Sequence, residues 1–280
     1  MKLACRDCSL DLTEPRVMGV LNVTPDSFSD GGRYLEVEAA VERGVTMVAE
    51  GAAIVDVGGE STRPGASAVS TAEELERVIP VIERLVARVN VPVSVDTSKP
   101  EVMRAAIAAG ASLVNDVRAL REPGALAAVA PTGAAVCLMH MQGEPRTMQS
   151  DPSYGDVVAD VRSFLAERTE ACLAAGIGRE RICIDPGIGF GKAPGHNLAL
   201  LRALDRLGPP DIPVLVGVSR KSLVGMITGR PADRRLAGSL AFAALAVAGG
   251  AAIIRAHDVG ETMDAVKVAS ALRRDRTAEE

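Results

Sequence analysis

Short apolar runs that end in a polar residue or a glycine recur eight times along the chain. The runs are rich in Val, Ile, Leu and Ala and show little alternation with polar positions, which is typical of parallel strands buried on both faces. Each run therefore predicts one strand. They cover residues 17–22, 53–58, 91–96, 112–116, 134–140, 181–185, 213–219 and 251–258.

Segments with apolar positions at helical spacing lie between these runs. The longest apolar stretch, 236–254, contains Gly238, Ser239, Gly249 and Gly250, and it predicts a buried helix that leads into the last strand, not a membrane span. Strand and helix alternating eight times predict an α/β protein with a single (β/α)8 TIM barrel. The clearest helical segments are 37–51, 72–89, 101–109, 154–175, 197–207 and 262–272.

Two other arrangements of the same strands are less consistent with the pattern. An antiparallel sandwich would alternate more cleanly, and an open doubly wound sheet would normally follow its first strand with a dinucleotide-type glycine fingerprint, which this chain does not have there. Residues 1–15 are too short for a domain and predict a hairpin or plug packed on the bottom of the barrel. The barrel is expected over 16–275, and 276–280 form a C-terminal tail.

Composition narrows the possible partners and the compartment. The 280 residues are 48% hydrophobic and 24% charged, which excludes disordered and fibrous classes. The net charge is −5, with no run of five like charges, so we expect no nucleic-acid partner. Five scattered cysteines and no signal-peptide pattern favour free thiols in a reducing cytoplasm.

The polar residues that end the predicted strands are the candidate site, because barrels of this kind build their sites at the C-terminal ends of the strands. For any single Asp or Asn the alternative is a cap on the following helix. Three of them together, with a lysine nearby, favour a ligand site. The candidates at or near the strand ends are Asn22, Asp56, Asp96, Asn115, Asp116, Met139, His140, Asp185, Gly217, Arg255 and His257.

Eight segments, in order, resemble those of the dihydropteroate synthase family and together span residues 16 to 260. They are MGVLNVTPDSFSDGG, VDVGGESTRPGA, SVDTSKP, LVNDV, LMHMQG, IDPGIGFGK, LVGVSRKS and IIRAHDV. The resemblance implies a transferase of folate biosynthesis on a (β/α)8 barrel. It would condense (7,8-dihydropterin-6-yl)methyl diphosphate with 4-aminobenzoate to give 7,8-dihydropteroate and diphosphate.

The resemblance also implies which residues hold the pterin. A pterin has a guanidine-like edge of N–H donors, and a carboxylate such as Asp185 can pair with that edge in a two-pronged fashion. Lys221 would donate to the ring carbonyl, and Met139 would pack on the ring face. The implied pterin site consists of Asp96, Asn115, Met139, Asp185, Gly217 and Lys221.

The diphosphate would bind at the ends of the last strands. Arg255 and His257 are two apart on a strand, so both side chains point the same way. Arg63 would be a further cation, although a solvated surface arginine is the alternative for it. Asn22 matches the family's contact to Mg²⁺, an ion that keeps several waters and takes further ligands from phosphate. The implied set is Asn22, Thr62, Arg63, Arg255 and His257.

For 4-aminobenzoate the resemblance implies an apolar slot with a small polar rim. Phe28 and Phe190 are the aromatic candidates, and the alternative is that they anchor their loops. A serine at 219 or 222 could cap the helix after the seventh strand, whose amides would receive the carboxylate. The implied set is Phe28, Thr62, Pro64, Phe190, Ser219 and Ser222.

The mechanism favoured by the resemblance is a dissociative substitution in which Asp96, Asp185, Lys221, Arg63, Arg255 and His257 carry catalysis by electrostatics and positioning. A homodimer is expected, with the helix around 239–248 covering the interface. Three alternatives remain at this point: a lysine aldolase with a Schiff base on Lys221, a pterin-dependent methyltransferase, and a catalytically silent pterin-binding barrel.

Several other motifs do not predict chemistry of their own. The segment 187–192 lacks the spacing and the final Ser/Thr of a phosphate-binding loop, so it predicts a tight turn beside the ligand. Cys5 and Cys8 have no second ligand pair for zinc. His140 and His196 lack a nucleophile or a metal partner in the sequence, which favours supporting or surface roles.

Overall fold

Eight parallel strands form the centre of the protein, as expected. The computed structural model describes residues 1–23, 32–61, 69–143, 147–149 and 151–277. The sheet order is β8-β7-β6-β5-β4-β3-β10-β9, and a parallel bridge between Ile184 and Val214 joins the two edge strands into a closed barrel. The strands are β3 Arg16–Asn22, β4 Ile54–Gly58, β5 Val93–Asp96, β6 Leu113–Asp116, β7 Ala135–Met139, β8 Ile182–Asp185, β9 Leu215–Gly217 and β10 Ile253–Ala256.

Helices follow the strands and cover the outside of the barrel. The helices after β6 and β9 are short, and a second helix, α8, precedes β10. The helices are α1 Gly32–Ala49, α2 Thr71–Val86, α3 Pro100–Ala108, α4 Ala125–Val129, α5 Val157–Ala174, α6 Pro194–Leu201, α7 Ser222–Thr228, α8 Leu236–Ala248 and α9 Val259–Thr277. None of the helices in these described ranges is long and apolar enough to cross a bilayer.

The expectation of a buried helix at α8 holds for only one of its faces. Ala243, Ala246 and Val247 are buried against the barrel, but Leu245 is 65% exposed and Leu236 is 37% exposed. The sequence could not show this, because α8 is apolar around its whole circumference and has no polar face to mark the outer side.

Local capping explains where the long helices begin. Ser70 caps α2 with a capping box, in which Ser70 Oγ accepts from Glu73 N at 3.2 Å and the Glu73 carboxylate accepts from Ser70 N at 2.9 Å. Asp156 caps α5 by accepting from Val158 N and Ala159 N.

An antiparallel hairpin precedes the barrel and closes its bottom. The hairpin consists of β1 Lys2–Cys5 and β2 Cys8–Asp11. Its buried side chains pack with residues from the starts of the barrel strands, and this leaves the opposite end of the barrel for a ligand. The apolar cluster formed in this way contains Leu3, Cys5, Leu10, Leu12, Met18, Ile54, Leu113, Ala135, Cys137, Cys183, Leu215 and Ile253.

Candidate active site

Strand register brings the polar strand ends into one layer at the mouth of the barrel. Asp96 on β5 lies opposite Asn115 on β6, and Met139 on β7 lies opposite Asp185 on β8. Arg255 on β10 is likewise paired with Gly217 on β9. Asn115 and Asp185 are buried, and Asp96 and Arg255 are partly buried. The barrel therefore assembles two carboxylates, an amide and a guanidinium from four separate strands at its mouth.

Arg255 links two carboxylates across this layer. Its Nε donates to Asp56 Oδ2 at 2.7 Å and its Nη2 donates to Asp96 Oδ2 at 2.7 Å. Asn115 Nδ2 also donates to Asp56 Oδ2, at 2.9 Å. The assignment of Arg255 to a diphosphate stays a prediction, and the structure adds that this cation is held in place by two acidic side chains.

Asp56 is a site residue for which the sequence predicted no specific role. It is fully buried in the middle of β4, and its Oδ1 has no hydrogen-bond partner among the described residues. Ser94 pairs with Asp56 on the neighbouring strand β5, and its hydroxyl likewise has no hydrogen-bond partner among the described residues. A buried polar atom without a partner costs about 1–3 kcal/mol, so a polar guest at this position would be stabilised. The signal that could have identified Asp56 is an acidic residue inside an otherwise apolar strand.

Burial has the largest effect on the pKa values of Asp96, Asp185 and Lys221 at the barrel mouth. It raises the pKa of Asp96 from 3.8 to about 7, although the neighbouring Arg255 opposes the shift. Burial also raises the pKa of Asp185, opposed mainly by Lys221. It lowers the pKa of Lys221 to about 8, and Asp185 opposes that change. Small changes in the surroundings of Asp96 and Lys221 would therefore change their charge near neutral pH.

Lys221 reaches from the loop after β9 to the loop after β8. Its Nζ donates to Ile188 O at 2.5 Å and lies 4.6 Å from the centre of the Phe190 ring, within the range of a cation–π contact. A Cβ added at Gly217 would lie 3.6 Å from this amine and 3.8 Å from Arg255 Cβ. Gly217 therefore keeps open the space between the two cations.

Phe190 and Met139 form part of an apolar patch beside the polar layer. Phe190 is partly buried and packs on a small cluster that is separate from the main core. It is thus neither a fully buried loop anchor nor a solvated ring, and its exposed part is available to a flat ligand. The cluster consists of Val117, Met139, Met141 and Met148.

The expected serine cap on the helix after β9 is wrong. The N-cap of α7 is Lys221, which makes no side-chain cap, and Ser222 is the first helical residue. Arg220 adopts a left-handed conformation with φ 58°, and the Ser219 hydroxyl meets His257 instead. His257 N donates to Ser219 Oγ at 3.2 Å, and His257 Nδ1 lies 3.1 Å from the same oxygen. Ser219 therefore orients His257.

Asn22 lies at the end of β3, close to Asp96. A Cβ built at Gly58, between them, would lie 3.9 Å from Asn22 Oδ1 and 3.8 Å from Asp96 Oδ2. The described residues contain no group of three His, Cys, Asp or Glu that could hold a metal ion. A single amide oxygen suits Mg²⁺, because that ion keeps waters and takes ligands from substrate phosphates. Asn22 therefore fits the expected role, which stays a prediction.

Four of the expected site residues, Phe28, Thr62, Arg63 and Pro64, lie outside the described residues. A partly buried ionic cluster flanks the segment 62–68 that contains three of them. Lys99 Nζ donates to Glu60 Oε2 at 2.5 Å and also to the buried Glu74. Glu60 Oε1 in turn accepts from Val69 N at 3.3 Å, so one carboxylate contacts the residue after the segment as well.

The segment 187–192 forms a tight turn after β8, in agreement with the expectation. Gly187, Gly189 and Gly191 all have positive φ, which glycine adopts without strain. His140, on the loop after β7, is buried and contacts Lys192 at the end of this turn. His196 accepts through Nδ1 from Ala193 N at the start of α6 and packs on Tyr154. Both histidines thus have supporting roles.

Comparison with known proteins gives one consistent result. A sequence profile of the family described as pterin binding enzyme matches residues 18–257. Dihydropteroate synthase from Escherichia coli K12 is 53% identical over 271 residues, covering 97% of this chain and 96% of that protein. A Xanthomonas albilineans dihydropteroate synthase solved with 4-aminobenzoic acid superposes with a TM-score of 0.91 at 55% identity, covering 97% and 98% of the two chains. The Burkholderia cenocepacia enzyme, solved with 7,8-dihydropteroate, gives 0.90 at 49% identity, covering 99% and 98%.

Proposed function

The chain belongs to the pterin binding enzyme family as a relative of dihydropteroate synthases, and we infer that it condenses (7,8-dihydropterin-6-yl)methyl diphosphate with 4-aminobenzoate. The observation that carries this inference is the layer of Asp96, Asn115 and Asp185 at the barrel mouth with Lys221 beside it. A planar ring with N–H donors on one edge can pair with the carboxylates of this layer, and a carbonyl on its other edge can accept from Lys221. Protein carboxylates pair with N–H donors of this kind in charge-assisted hydrogen bonds.

We propose that the reaction is a dissociative substitution. The bond between the pterin methylene carbon and the diphosphate oxygen breaks, and its electron pair leaves with the diphosphate. The amine nitrogen of 4-aminobenzoate then bonds to the methylene carbon and loses a proton. The carboxylates Asp96 and Asp185 stabilise the positive charge that develops on the pterin, so catalysis is largely electrostatic.

The leaving diphosphate would be bound by cations at the ends of β10 and the neighbouring loops. Arg255 is held at the mouth by its two carboxylates, and His257 is oriented by Ser219. Arg63 and Thr62 would complete this set. Mg²⁺ would be held through Asn22, and when bound it would neutralise charge on the diphosphate.

The 4-aminobenzoate ring would lie against Phe190, beside Lys221. Ser222, as the first residue of α7, places its backbone N–H among the unpaired amides of that helix, which attract a carboxylate. Phe28, Thr62 and Pro64 would close the slot from the other side. This arrangement puts the amine towards the pterin and the acid away from it.

We also propose a homodimer through the surface of α7, α8 and α9. These neighbouring helices expose large apolar side chains, and contiguous exposed apolar surface marks interaction sites in soluble proteins. Those side chains are Met226, Ile227, Leu236, Leu245, Val268 and Leu272. Leu245→Glu should weaken the dimer in sedimentation velocity, whereas Val86→Glu on α2 should not. A monomeric parent protein would contradict the proposal.

The cysteines support a reducing compartment. All five lie in the described part of the chain and are free thiols, with Cys8 alone exposed. Free thiols persist where glutathione and thioredoxin keep them reduced. We propose the cytoplasm as the location of the protein.

The proposed activity is tested with the purified protein, both substrates and Mg²⁺. We expect equal amounts of dihydropteroate and diphosphate, and no dihydropteroate without 4-aminobenzoate. Absence of this product from a folded protein would contradict the proposal. Borohydride trapping of a carbonyl substrate on Lys221 would favour the lysine aldolase, and methyl transfer would favour the methyltransferase.

A further inference from the structure

Lys192 is a buried amine that neither the resemblance nor the proposed chemistry uses. It ends the turn after β8 and is 2% exposed. Its Nζ donates to three carbonyl oxygens, those of Phe190 at 2.8 Å, Gly187 at 3.0 Å and His140 at 3.2 Å. The same nitrogen lies 3.0 Å from His140 Nδ1. An ammonium group has three protons to donate, which matches the three carbonyl oxygens.

These bonds join the ends of two barrel strands. His140 follows β7, and Gly187 and Phe190 belong to the turn that follows β8. The turn packs on the β7 end so closely that a Cβ at Gly187 would come within 1.9 Å of His140 O, and one at Gly191 within 2.3 Å of Gln142 O. The close approach directs several carbonyl oxygens at one small volume. The Lys192 ammonium offsets their mutual repulsion.

The same turn presents groups to the proposed active site. Gly187 N donates to Asp185 Oδ1 at 2.7 Å, so the turn orients the carboxylate assigned to the pterin. Ile188 O accepts from Lys221, and the Phe190 ring lies beside that lysine. A displacement of this turn would therefore move contacts to both substrates.

Lys192 also interacts electrostatically with Asp185. Burial lowers the pKa of Lys192 to about 7, while Asp185 opposes this shift and Lys221 adds to it. Lys192 is one of the cations that hold the pKa of Asp185 down against burial, after Lys221 and the Gly187 N–H. Burial keeps His140 neutral, lowering its pKa to about 3. The charged and titratable groups that act on Asp185, or on which it acts, include Lys221, Lys192, Arg255 and the Cys137 thiol.

We propose that Lys192 is a positioning residue for the condensation. It fixes the turn that presents Asp185 and Phe190, and it supplies positive charge close to the Asp185 carboxylate. This proposal rests on the proposed function, because it concerns how the same site is held for its two substrates.

The test compares Lys192→Met with Asn197→Ala. Lys192→Met removes the donors and the charge. Asn197 bonds the same turn, accepting from Gly189 N at 2.7 Å and donating to Lys192 O at 3.1 Å, but it carries no charge. Both variants should fold, because Tyr154 also donates to Gly191 O and holds the outer end of the turn. Circular dichroism and thermal melting establish that each variant is folded.

For Lys192→Met we expect kcat/KM for the pterin diphosphate to fall by on the order of 10²-fold, as for a misplaced reacting group. The KM for 4-aminobenzoate should rise, and the acid limb of the kcat/KM profile should move to higher pH because Asp185 loses a nearby cation. Asn197→Ala should leave the acid limb unmoved. Lys192→Gln keeps two N–H donors without the charge, so it should move the acid limb with a smaller loss of rate.

A folded Lys192→Met protein with parental kinetics and an unmoved acid limb would overturn the proposal and leave the proposed function intact. If Lys192→Met does not fold, the pH profile of kcat/KM for Lys192→Gln tests the proposal instead. An acid limb at the parental position would then overturn it. If the parent protein makes no dihydropteroate, the proposed function fails, and this inference fails with it.

Discussion

Arg255 Nη2 on β10 donates to Asp96 Oδ2 on β5 at 2.7 Å, so the cation proposed for the diphosphate and a carboxylate proposed for the pterin are partners of each other. The two halves of one substrate would therefore bind to groups that already neutralise each other's charge. A ligand that carries both an N–H edge and an anion can replace both partners at once, which leaves neither charge uncompensated. A pterin without the diphosphate would satisfy only Asp96.

The first prediction concerns Asp96 and pH. Since burial raises the pKa of Asp96 from 3.8 to about 7, the folded protein holds a proton there that the unfolded chain loses between those values. This contribution to stability is fully present below about pH 4 and is lost as the pH rises through about 7. Asp96→Asn cannot ionise and should remove this part of the pH dependence. Urea denaturation across this range measures it, with Asp233→Asn on an exposed turn as control. Parallel stability curves for the parent and Asp96→Asn would contradict the expectation.

The second prediction separates His257 from Arg255. His257→Ala should weaken binding of diphosphate more than binding of a pterin that lacks it, since Ser219 holds this ring at the end of β10. Arg255→Ala should weaken both, because it also frees the buried Asp56 and the partner Asp96. Calorimetric titration with each ligand measures the difference. If His257→Ala lowered the affinity for both ligands equally, His257 would have a structural role only.

The third prediction concerns the stability of the Lys99 cluster. Glu74 is 1% exposed and its carboxylate is paired with Lys99. Lys99→Met should therefore cost about 3–5 kcal/mol of unfolding free energy, because it leaves a buried charge without a partner. Lys267→Met, at an exposed lysine on α9, should cost almost nothing. Denaturant midpoints compare the two variants, and equal midpoints would show that the buried pair contributes no stability.

The fourth prediction concerns the order of binding. Thr62 and Arg63, proposed for the anion, are neighbours in the chain of Pro64, proposed for the 4-aminobenzoate slot. Occupation of the anion site should therefore favour the second site by about 1–3 kcal/mol, which corresponds to roughly 5- to 150-fold tighter binding of 4-aminobenzoate. Calorimetry with and without Mg²⁺ and diphosphate measures this, and equal affinities would mean that the two sites are independent.

The strand ends could be predicted from sequence because a barrel places every strand's C-terminal end at the same mouth. Position at the end of an apolar run was enough to mark Asp96, Asn115 and Asp185 as candidates. Asp56 lies two residues before the end of β4, and its hydrogen bonds to Arg255 and Asn115 depend on side-chain packing that the apolar run does not encode.

Other features depend on where side chains point, which spacing does not determine. The Ser219 hydroxyl contacts His257, whereas a cap on the helix after β9 was expected from Ser219 or Ser222. Lys192 and His140 are 52 residues apart, and only the packing of the turn on the end of β7 brings them together. The outward face of α8 likewise carries no sequence signal, since apolar residues occupy both of its sides.

The most direct test of the central claim is the value of kcat/KM for the pterin diphosphate in Asp185→Asn. The substitution keeps the shape of the side chain but replaces an acceptor oxygen with a donor that faces the N–H edge of the pterin. We expect a loss of about 2–4 kcal/mol, roughly 30- to 900-fold, with Asp233→Asn as the control that retains parental activity. A loss smaller than about threefold in a folded Asp185→Asn protein would contradict the assignment of this carboxylate to the pterin.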